Sequence, residues 1–353
     1  MKLKRSSALI ALLTVSLLPA WAAKHKKDAP EPWPDLLLDG GRKLSYEATY
    51  SSQRDIRGKT GFWTKLTEAV VGQPEYRQMA RPYGIAVDSR GRIIVTDPGV
   101  NGIHVFDPAQ HKYKFIERQD KIKESMFQPQ CVAVDAKDNI YVTDSEAGKI
   151  FVFEPNGKMR RVLGSLKGGE GLFKRPTGIA IDPETQNIYV SDTLRDRIFV
   201  LDQDGQVLRT IGKRGVGEGE FRVPTYLLFQ NGTLAVVDAL NFRVQFFDRD
   251  GTFRGMIGTA GDPKNGIYRP KGIAIDSEGH IYLAESEWGS VQVFDREGNL
   301  LYTFGNGTGF GQFHLPAGLF IDRADRVFVV DSYNHRVQVF QYRALSPVAG
   351  GSR

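Results

Sequence analysis

A proline recurs six times along the chain at an almost constant distance, and this period constrains the fold more than any other feature. The spacings are 47, 47, 48, 46 and 46 residues, for prolines at positions 82, 129, 176, 224, 270 and 316. An acidic residue follows each proline in phase, at positions 97, 144, 192, 238, 285 and 331. A period of this length, built of short β-rich segments, is typical of repeat arrays, and six units suit a closed ring of blades.

Each unit contains four short β-rich segments separated by turn residues. In the third unit they cover residues 178–181, 188–192, 197–202 and 207–212, with turns such as Asp-Pro-Glu-Thr and Gln-Asp-Gly between them. One such sheet cannot bury both of its faces, so neighbouring sheets must stack on each other. We therefore predict an all-β fold, a six-bladed β-propeller of four-stranded antiparallel blades, with repeats starting near residues 81, 127, 174, 222, 268 and 314.

The sixth unit lacks its fourth segment, because the residues after position 342 are polar and small. The outer strand of blade 6 must therefore come from the N-terminal part of the chain. Residues 43–51 alternate and are rich in β-formers, which predicts the closing strand there. Phe62, Leu66, Ala69 and Val70 fall at helical spacing, which predicts a short amphipathic helix at 61–71. The alternative is a closing strand at 66–72. The propeller would then span residues 43–343, followed by a disordered tail at 344–353.

The first 22 residues have the pattern of a secretory signal peptide. Three basic residues precede an apolar run from Ala8 to Leu18, which is followed by the small-x-small sequence Ala20-Trp21-Ala22. The run is too short to span a membrane. We therefore expect a periplasmic or secreted protein with no transmembrane segment after cleavage, and a Lys- and Pro-rich flexible tether at residues 23–42.

The net charge of +6 does not indicate a nucleic-acid-binding propeller. Residues 1–43 and Arg353 together hold nine of the 47 basic residues and four of the 41 acidic ones, which leaves 38 and 37 for the rest of the chain. The excess therefore belongs mainly to the signal peptide and tether.

Cys131 is the only cysteine, so the chain has no internal disulfide. We predict a small buried residue there, with a reactive thiol as the alternative.

The in-phase acidic residues predict structural capping rather than a ring of metal ligands. Each ends a second strand, where its carboxylate can accept backbone N–H groups of a turn, and six converging carboxylates would repel one another. We also expect Arg197, Arg243 and Arg336, which follow these acids, to pair with carboxylates of their own blades.

The repeat pattern resembles the NHL-repeat family of six-bladed β-propellers, and in particular secreted bacterial NHL-repeat proteins. The matching elements include Tyr-Val-Ser-Asp at 189–192, Asn-His-Arg-Val-Gln-Val-Phe at 334–340 and Asn-Phe-Arg at 241–243, within a span of about residues 81–342. Blades 1 and 5 depart from the Asn-x-Arg element. Related propellers with lyase activity place metal-binding histidines after the repeat proline, but no histidine occupies those positions in this chain. The Glu-Gly-Pro segment of gluconolactonase-like propellers is also missing.

Residues beside each repeat proline begin the inner strand, so their side chains should line one mouth of the central channel. The candidate binding residues are Arg81, Tyr83, Gln130, Arg175, Thr177, Thr225, Arg269 and Lys271. Three arginines and a lysine near one mouth would make an anion-accepting surface. We predict a non-catalytic, monomeric scaffold that needs no cofactor or metal and binds a cell-envelope protein or an anionic ligand. The alternative is a lyase or lactonase with its site at the same mouth.

Overall fold

The computed structural model of the chain describes residues 35–37, 42–56, 76–117, 126–258, 266–305 and 311–343. Six antiparallel sheets formed by their strands are the blades of a six-bladed β-propeller, and a small two-stranded parallel sheet, Lys213–Arg214 with Glu220–Phe221, lies in the loop between blades 3 and 4. The fold predicted from the sequence is therefore confirmed. In the third blade the predicted and observed strands agree to within two residues at each end.

Blades 1 to 5 each contain four strands, which follow one another along the chain from the inside of the ring outward. Blade 1 comprises Ile85–Val87, Ile93–Asp97, Gly102–Asp107 and Lys112–Ile116. Blade 2 comprises Pro129–Val134, Ile140–Asp144, Lys149–Phe153 and Met159–Leu163. Blade 3 comprises Pro176–Ile181, Ile188–Asp192, Arg197–Leu201 and Val207–Ile211. Blade 4 comprises Pro224–Gln230, Thr233–Asp238, Arg243–Asp248 and Phe253–Ile257, and blade 5 comprises Pro270–Ile275, Ile281–Glu285, Ser290–Phe294 and Leu300–Phe304.

Blade 6 combines both ends of the propeller. Its inner three strands are Pro316–Ile321, Arg326–Asp331 and Arg336–Arg343, and its outer strand is Lys43–Tyr50. The outer strand runs antiparallel to the third strand, with Lys43 opposite Arg343 and Tyr50 opposite Val337. The predicted N-terminal closing strand is therefore present. A fifth short strand, Leu36–Leu37, pairs with the outer strand, so this end of the predicted tether is part of the sheet.

Several other sequence predictions fall outside the described residues. These are the signal peptide at 1–22, most of the tether, the helix at 61–71 with the alternative strand at 66–72, and the tail at 344–353. Within the described part of the chain, no helix is long and apolar enough to cross a membrane. The helical elements found there are single 3-10 turns at Gln53–Ile56, Ala239–Asn241 and Ser332–Asn334.

The hydrophobic core lies between neighbouring blades. One cluster joins blades 1 and 2, another joins blades 3 and 4, and two more join blades 5 and 6 and blades 6 and 1. The second and third strands contribute fully buried residues such as Val142, Tyr189 and Phe294. This packing explains why a single sheet would not be stable alone, since each blade buries its faces against its neighbours.

Hydroxyl groups also connect the inner strands of blades 1 to 4. The hydroxyl of Thr143 accepts a bond from the Cys131 N–H (3.1 Å) and donates to the carbonyl of Thr177 in the next blade (2.6 Å). Thr96 and Ser191 make the same connections from blades 1 and 3. The corresponding residues of blades 4 to 6 are apolar, namely Val237, Ala284 and Val330. Polar links therefore support one half of the ring and apolar contacts the other.

Candidate functional site

The central channel has two mouths that differ in their loops. All six inner strands run in the same direction, because each follows a repeat proline and leads to the turn before the second strand. We call the end with the repeat prolines the upper mouth and the other end the lower mouth. The turns between the second and third strands lie on the same side as the upper mouth, and we call that side the upper face.

Buried carboxylates support the loops of the upper mouth. In every blade the acid that ends the second strand accepts at least one backbone N–H from the two residues before the repeat proline. Asp97 accepts from Ala80 (2.6 Å) and Arg81 (2.9 Å), and Asp192 accepts from Lys174 (2.8 Å) and Arg175 (3.0 Å). The same role falls to Asp144, Asp238, Glu285 and Asp331. The predicted structural role of these acids agrees with this geometry.

The arginine partners of these acids are only partly as predicted. The Nε atoms of Arg243 and Arg336 lie 2.9 and 2.7 Å from carboxylate oxygens of Asp238 and Asp331. The expectation for Arg197 is wrong, because its Nε donates to a backbone carbonyl, and Arg195 is the residue that approaches Asp192 (3.4 Å). Arg195 Nη1 also donates to the carbonyl of Leu172 (2.7 Å), which holds its guanidinium beside that carboxylate.

Blade 1 replaces the arginine by a buried histidine. His104 Nε2 lies 3.3 Å from Asp97, and His104 Nδ1 is 2.9 Å from the Tyr113 hydroxyl. Burial alone would raise the pKa of Asp97, but the nearby His104 ring and the hydrogen bonds from two backbone N–H groups outweigh it and lower that pKa. In blade 1, which lacks the Asn-x-Arg element, His104 therefore takes the place of the arginine beside the buried acid.

The upper mouth contains a cavity of about 300 Å³. Six of the eight residues predicted from the sequence line it: Arg81, Tyr83, Gln130, Arg175, Arg269 and Lys271. These side chains come from blades 1, 2, 3 and 5, which are distant in sequence and adjacent only because the ring closes. The cavity is large enough for a side chain or a small anionic group, and its charged lining residues are all basic.

The two predicted threonines do not line this cavity. Both are buried, and the Thr177 hydroxyl is 2.7 Å from the hydroxyl of Thr193 in its own blade. The hydroxyl of Thr225 is buried without a hydrogen-bond partner among the described residues. Proximity to the repeat proline was therefore not sufficient to place a side chain at the mouth.

The cations of the upper mouth are incompletely neutralised. Within the described ranges, Arg81 and Arg175 are exposed and form no ion pair with a carboxylate. Arg269 is also exposed and lies 3.3 Å from Glu287. Lys271 is half-buried, and burial, together with the nearby charge of Arg269, lowers its pKa. An anion entering the mouth would therefore meet positive charge that the protein itself leaves largely uncompensated.

The floor of the upper mouth is closed by aromatic side chains. Tyr226 of blade 4 is buried, and its hydroxyl lies near backbone groups of Ile85 and Leu319 in blades 1 and 6. Burial raises the pKa of Tyr226, Tyr83 and the Cys131 thiol. Cys131 is 2% exposed, which confirms a small buried residue rather than a reactive thiol. Below this floor the channel is lined by apolar residues.

Sequence reasoning missed the residues that the second-to-third-strand turns bring to the upper face. Ser286, Ser332 and Tyr333 from these turns also line the cavity. The same turns carry exposed apolar side chains in four consecutive blades. These residues are Leu194, Leu240, Trp288 and Tyr333, and we call them the apolar arc. Trp288 is 60% exposed and packs edge-to-face on Tyr268, with ring centroids 5.8 Å apart.

The signal for the apolar arc was present in the sequence. Each arc residue comes two or three positions after the in-phase acid, where a turn would normally be polar. The corresponding residues of blades 1 and 2 are Gly99 and Glu146. The apolar arc therefore extends over blades 3 to 6 only.

Nowhere in the described ranges do three or more His, Cys, Asp or Glu side chains form a group that could hold a metal ion.

Two kinds of repeat model match the chain. Residues 268–294 and 313–340 match the NHL repeat, and residues 128–198 match a model described as a 6-bladed beta-propeller. The chain is thus a six-bladed β-propeller that contains NHL repeats, as the resemblance implied. Among curated proteins, no sequence matches it.

Similar solved structures share the fold and differ in function. A virginiamycin B lyase from Staphylococcus aureus has a TM-score of 0.55 at 15% identity, over 75% of this chain and 96% of that one. A gluconolactonase from Xanthomonas campestris has a TM-score of 0.57 at 15% identity, over 88% and 98%. An auxiliary nutrient binding protein from Bacteroides thetaiotaomicron has a TM-score of 0.58 at 10% identity, over 75% and 70%. At these identities the likeness shows the fold alone.

Proposed function

We propose that this chain is an exported, non-catalytic binding protein whose upper face docks a partner protein. The observation that carries the proposal is the combination of an apolar arc and an uncompensated cationic mouth on one face. Large exposed apolar residues next to a charged pocket are typical of protein interfaces, because apolar contacts contribute affinity and charges contribute orientation. The partner would place an anionic group in the upper mouth and an apolar surface on the arc.

Exposed apolar residues elsewhere in the described chain are more scattered. Val207 and Leu208 lie on the outer strand of blade 3, Met256 and Leu300 lie on the outer strands of blades 4 and 5, and Phe127 and Tyr268 each lie two residues before a repeat proline. Scattered exposed apolar residues are normal on a folded protein, whereas four equivalent positions in a row are not. The arc is therefore the better candidate for an interface.

The proposal is tested by retention of cell-envelope proteins on the immobilised propeller. The double variant Trp288→Ala/Leu240→Ala should lose a retained protein, with an affinity at least about tenfold lower, because truncating central apolar anchors removes most of the binding energy. The matched control is Val207→Ala/Leu208→Ala, which removes two exposed apolar side chains from the outer strand of blade 3. Equal retention by all three proteins would contradict the proposal.

A lyase or lactonase with its site at the same mouth remains the alternative. The residues found there, namely arginine, lysine, glutamine and tyrosine, bind and orient anions as they stand. Turnover of gluconolactone or virginiamycin B by the purified protein, together with metal analysis, separates the two functions. Catalysis that is lost in Arg175→Gln but retained in Trp288→Ala/Leu240→Ala would favour the enzyme.

A further inference from the structure

A second cationic surface lies on the outer flank of the ring between blades 1 and 2. It is a groove of about 910 Å³, formed by the outer strand of blade 1 and the third-to-outer-strand turn of blade 2. Five cations and two acids line it: Arg90, Arg92, Lys112, Lys114, Arg160, Asp107 and Glu154. Amide side chains of Gln110, Asn139 and Asn156 lie among them. We call this surface the flank groove.

Most of the positive charge of the flank groove is not neutralised by the protein. Lys112, Lys114 and Arg160 form no ion pair within the part of the chain that the structure describes. Lys112 donates to the Gln110 side chain (2.9 Å), and Lys114 donates to the backbone carbonyl of Asn156. The two acids are held in their own turns. Asp107 accepts the backbone N–H of Gln110 (2.9 Å), and Glu154 accepts the side-chain amide of Asn156 (3.1 Å).

The neighbouring repeats show what this groove lacks. Lys114, Arg161 and Arg209 occupy equivalent positions, since each pairs with the same valine position of its third strand. Arg161 lies 3.1 Å from the carboxylate of Asp204, which belongs to the turn of the next blade. The residue equivalent to Asp204 is Asn156 in blade 2, Asp250 in blade 4 and Glu297 in blade 5. The flank groove therefore has a cation equivalent to Arg161 but lacks the acid that pairs with Arg161 in the next blade.

An unsatisfied hydrogen-bond donor in the flank groove also indicates a site for an anionic ligand. Arg92 Nε donates to Asp88 (2.6 Å) and Nη1 donates to the carbonyl of Pro155 (2.5 Å). Its Nη2 atom is buried and has no hydrogen-bond partner among the described residues. Buried donors are normally satisfied, so this guanidinium group has one hydrogen-bonding position left for an acceptor brought by a ligand.

We propose that the flank groove binds an acidic polysaccharide, a chain of sugar units that carry carboxylate groups. Its carboxylates would meet the arginines and lysines, and its hydroxyl groups would meet the amides of Gln110 and Asn156. None of the large exposed apolar residues of the described chain lines the groove, so it lacks the anchors that a peptide partner uses.

The groove is also poorly suited to single-stranded nucleic acid. Such ligands are bound by aromatic rings on which the bases stack. Tyr113 is the aromatic residue that lines the groove; it is partly buried, its hydroxyl bonds to His104, and its ring packs on Phe106 with centroids 5.2 Å apart. A hydrophilic polyanion without stacking bases therefore fits the lining best.

The test uses oligogalacturonate as the probe and its methyl ester, which has the same backbone without the charge, as the ligand control. Calorimetry on the wild-type protein should show binding of the acid that weakens as salt rises, and no binding of the ester. The variant Lys112→Gln/Lys114→Gln/Arg160→Gln should bind at least about tenfold more weakly, because each lost charged contact costs a substantial part of the affinity. Asn156→Asp should also weaken binding, because it supplies the acid found in blades 3 to 5.

A second pair of measurements keeps the result separate from the function proposed for the upper face. Arg175→Gln/Lys271→Gln changes two cations of the upper mouth and should leave oligogalacturonate binding unchanged. Binding that is absent, or equal in wild type and the triple variant at unchanged melting temperature, would overturn the proposal. Equally tight binding of single-stranded DNA or polyglutamate would show that the groove recognises charge alone and would overturn the assignment to a polysaccharide.

Discussion

The two mouths of the channel both carry arginines, but more of them are paired with carboxylates at the lower mouth. Among the described residues, Arg326 and Arg90 are paired at the lower mouth and Arg323 is not, whereas Arg269 alone is paired at the upper mouth. At the lower mouth, Arg326 lies 2.7 Å from Asp322 and Arg90 lies 3.5 Å from Asp138. At the upper mouth, Arg81 and Arg175 have no carboxylate partner among the described residues. The same residue type therefore stabilises turns at one end of the channel and remains open to a ligand at the other.

The turns of the two faces also differ in their content of exposed apolar residues. On the lower side, the turns between the inner and second strands contain Ser, Arg, Gly, Ala, Lys, Asp and similar residues, with no large apolar side chain. On the upper face, the turns of blades 3 to 6 carry the apolar arc. The lower side has the composition of ordinary solvent-exposed turns. The upper face combines an apolar surface with free charge, and this difference supports the proposal that it is the recognition surface.

The largest effect should come from opening the ring, because both faces depend on closure. Deleting residues 1–51 removes the strand Lys43–Tyr50 and exposes the edge of the strand Arg336–Arg343. We expect aggregation or loss of a cooperative unfolding transition. Deleting residues 1–34 retains every described strand and should leave the melting temperature unchanged. If calorimetry shows that the two truncations melt alike, closure by this strand is not what holds the ring together.

The next largest effect should come from the carboxylates beneath the upper face. Asp238→Ala leaves Arg243 buried without its carboxylate and frees the backbone N–H of Arg222. Removing one partner of a buried pair costs about 3–5 kcal/mol of unfolding free energy. The control Glu146→Ala removes an exposed acid and should cost less than about 0.5 kcal/mol. Urea unfolding measures both, and a small loss for Asp238→Ala would show that these acids do not hold the upper loops.

A smaller difference in the free energy of unfolding is expected between variants of the arginines at the two mouths. Arg326→Gln should lower the free energy of unfolding by about 1–2 kcal/mol, because Arg326 Nε and Nη2 both contact Asp322 and its guanidinium lies over the ring of Phe328. Arg175→Gln should lower it by less than about 0.5 kcal/mol. The comparison between the mouths would be broken if the two substitutions had equal effects on stability.

The sequence predicted the parts of the molecule that follow from the repeat. The proline and acid periods fix the number of blades, and the missing fourth segment of the last repeat requires a closing strand from elsewhere. Six of the eight mouth residues were found because position relative to the proline determines where an inner strand begins. Thr177 and Thr225 occupy the same position after the proline as Tyr83, Gln130 and Lys271, but their short side chains are buried and do not line the cavity.

The features that the sequence did not predict depend on contacts between repeats. The apolar arc is made of one residue from each of four turns, and the four form one surface only because the closed ring places these turns on the same face. The flank groove is strongly cationic because Asn156 stands where blades 3 to 5 have an acid. Asn156 comes close to Lys114 only when blades 1 and 2 stack. Spacing along the chain does not show which cation of one blade meets which acid of the next.

The smallest expected effect is a pH dependence of anion binding at the upper mouth. The pKa of Lys271 is lowered, first by burial and then by the positive charge of Arg269. Lys271 should therefore lose its charge at a lower pH than an exposed lysine, which titrates at about 10.4. Binding of sulfate, whose charge is constant in this range, should weaken as the pH rises toward that value, and NMR titration measures it.

The free energy of unfolding should rise with pH while sulfate binding weakens. A loss of sulfate binding caused by titration of Lys271 can therefore be distinguished from a loss caused by unfolding. Because its pKa is lower in the folded state, the unfolded chain binds more protons between the two pKa values, and the contribution of Lys271 to stability rises with pH. Lys271→Met should remove the pH dependence of sulfate binding, whereas Arg175→Gln should weaken binding and keep that dependence. If wild type and Lys271→Met lose sulfate in parallel as the pH rises, Lys271 does not contribute its charge to the upper mouth, and the arginines alone make it cationic.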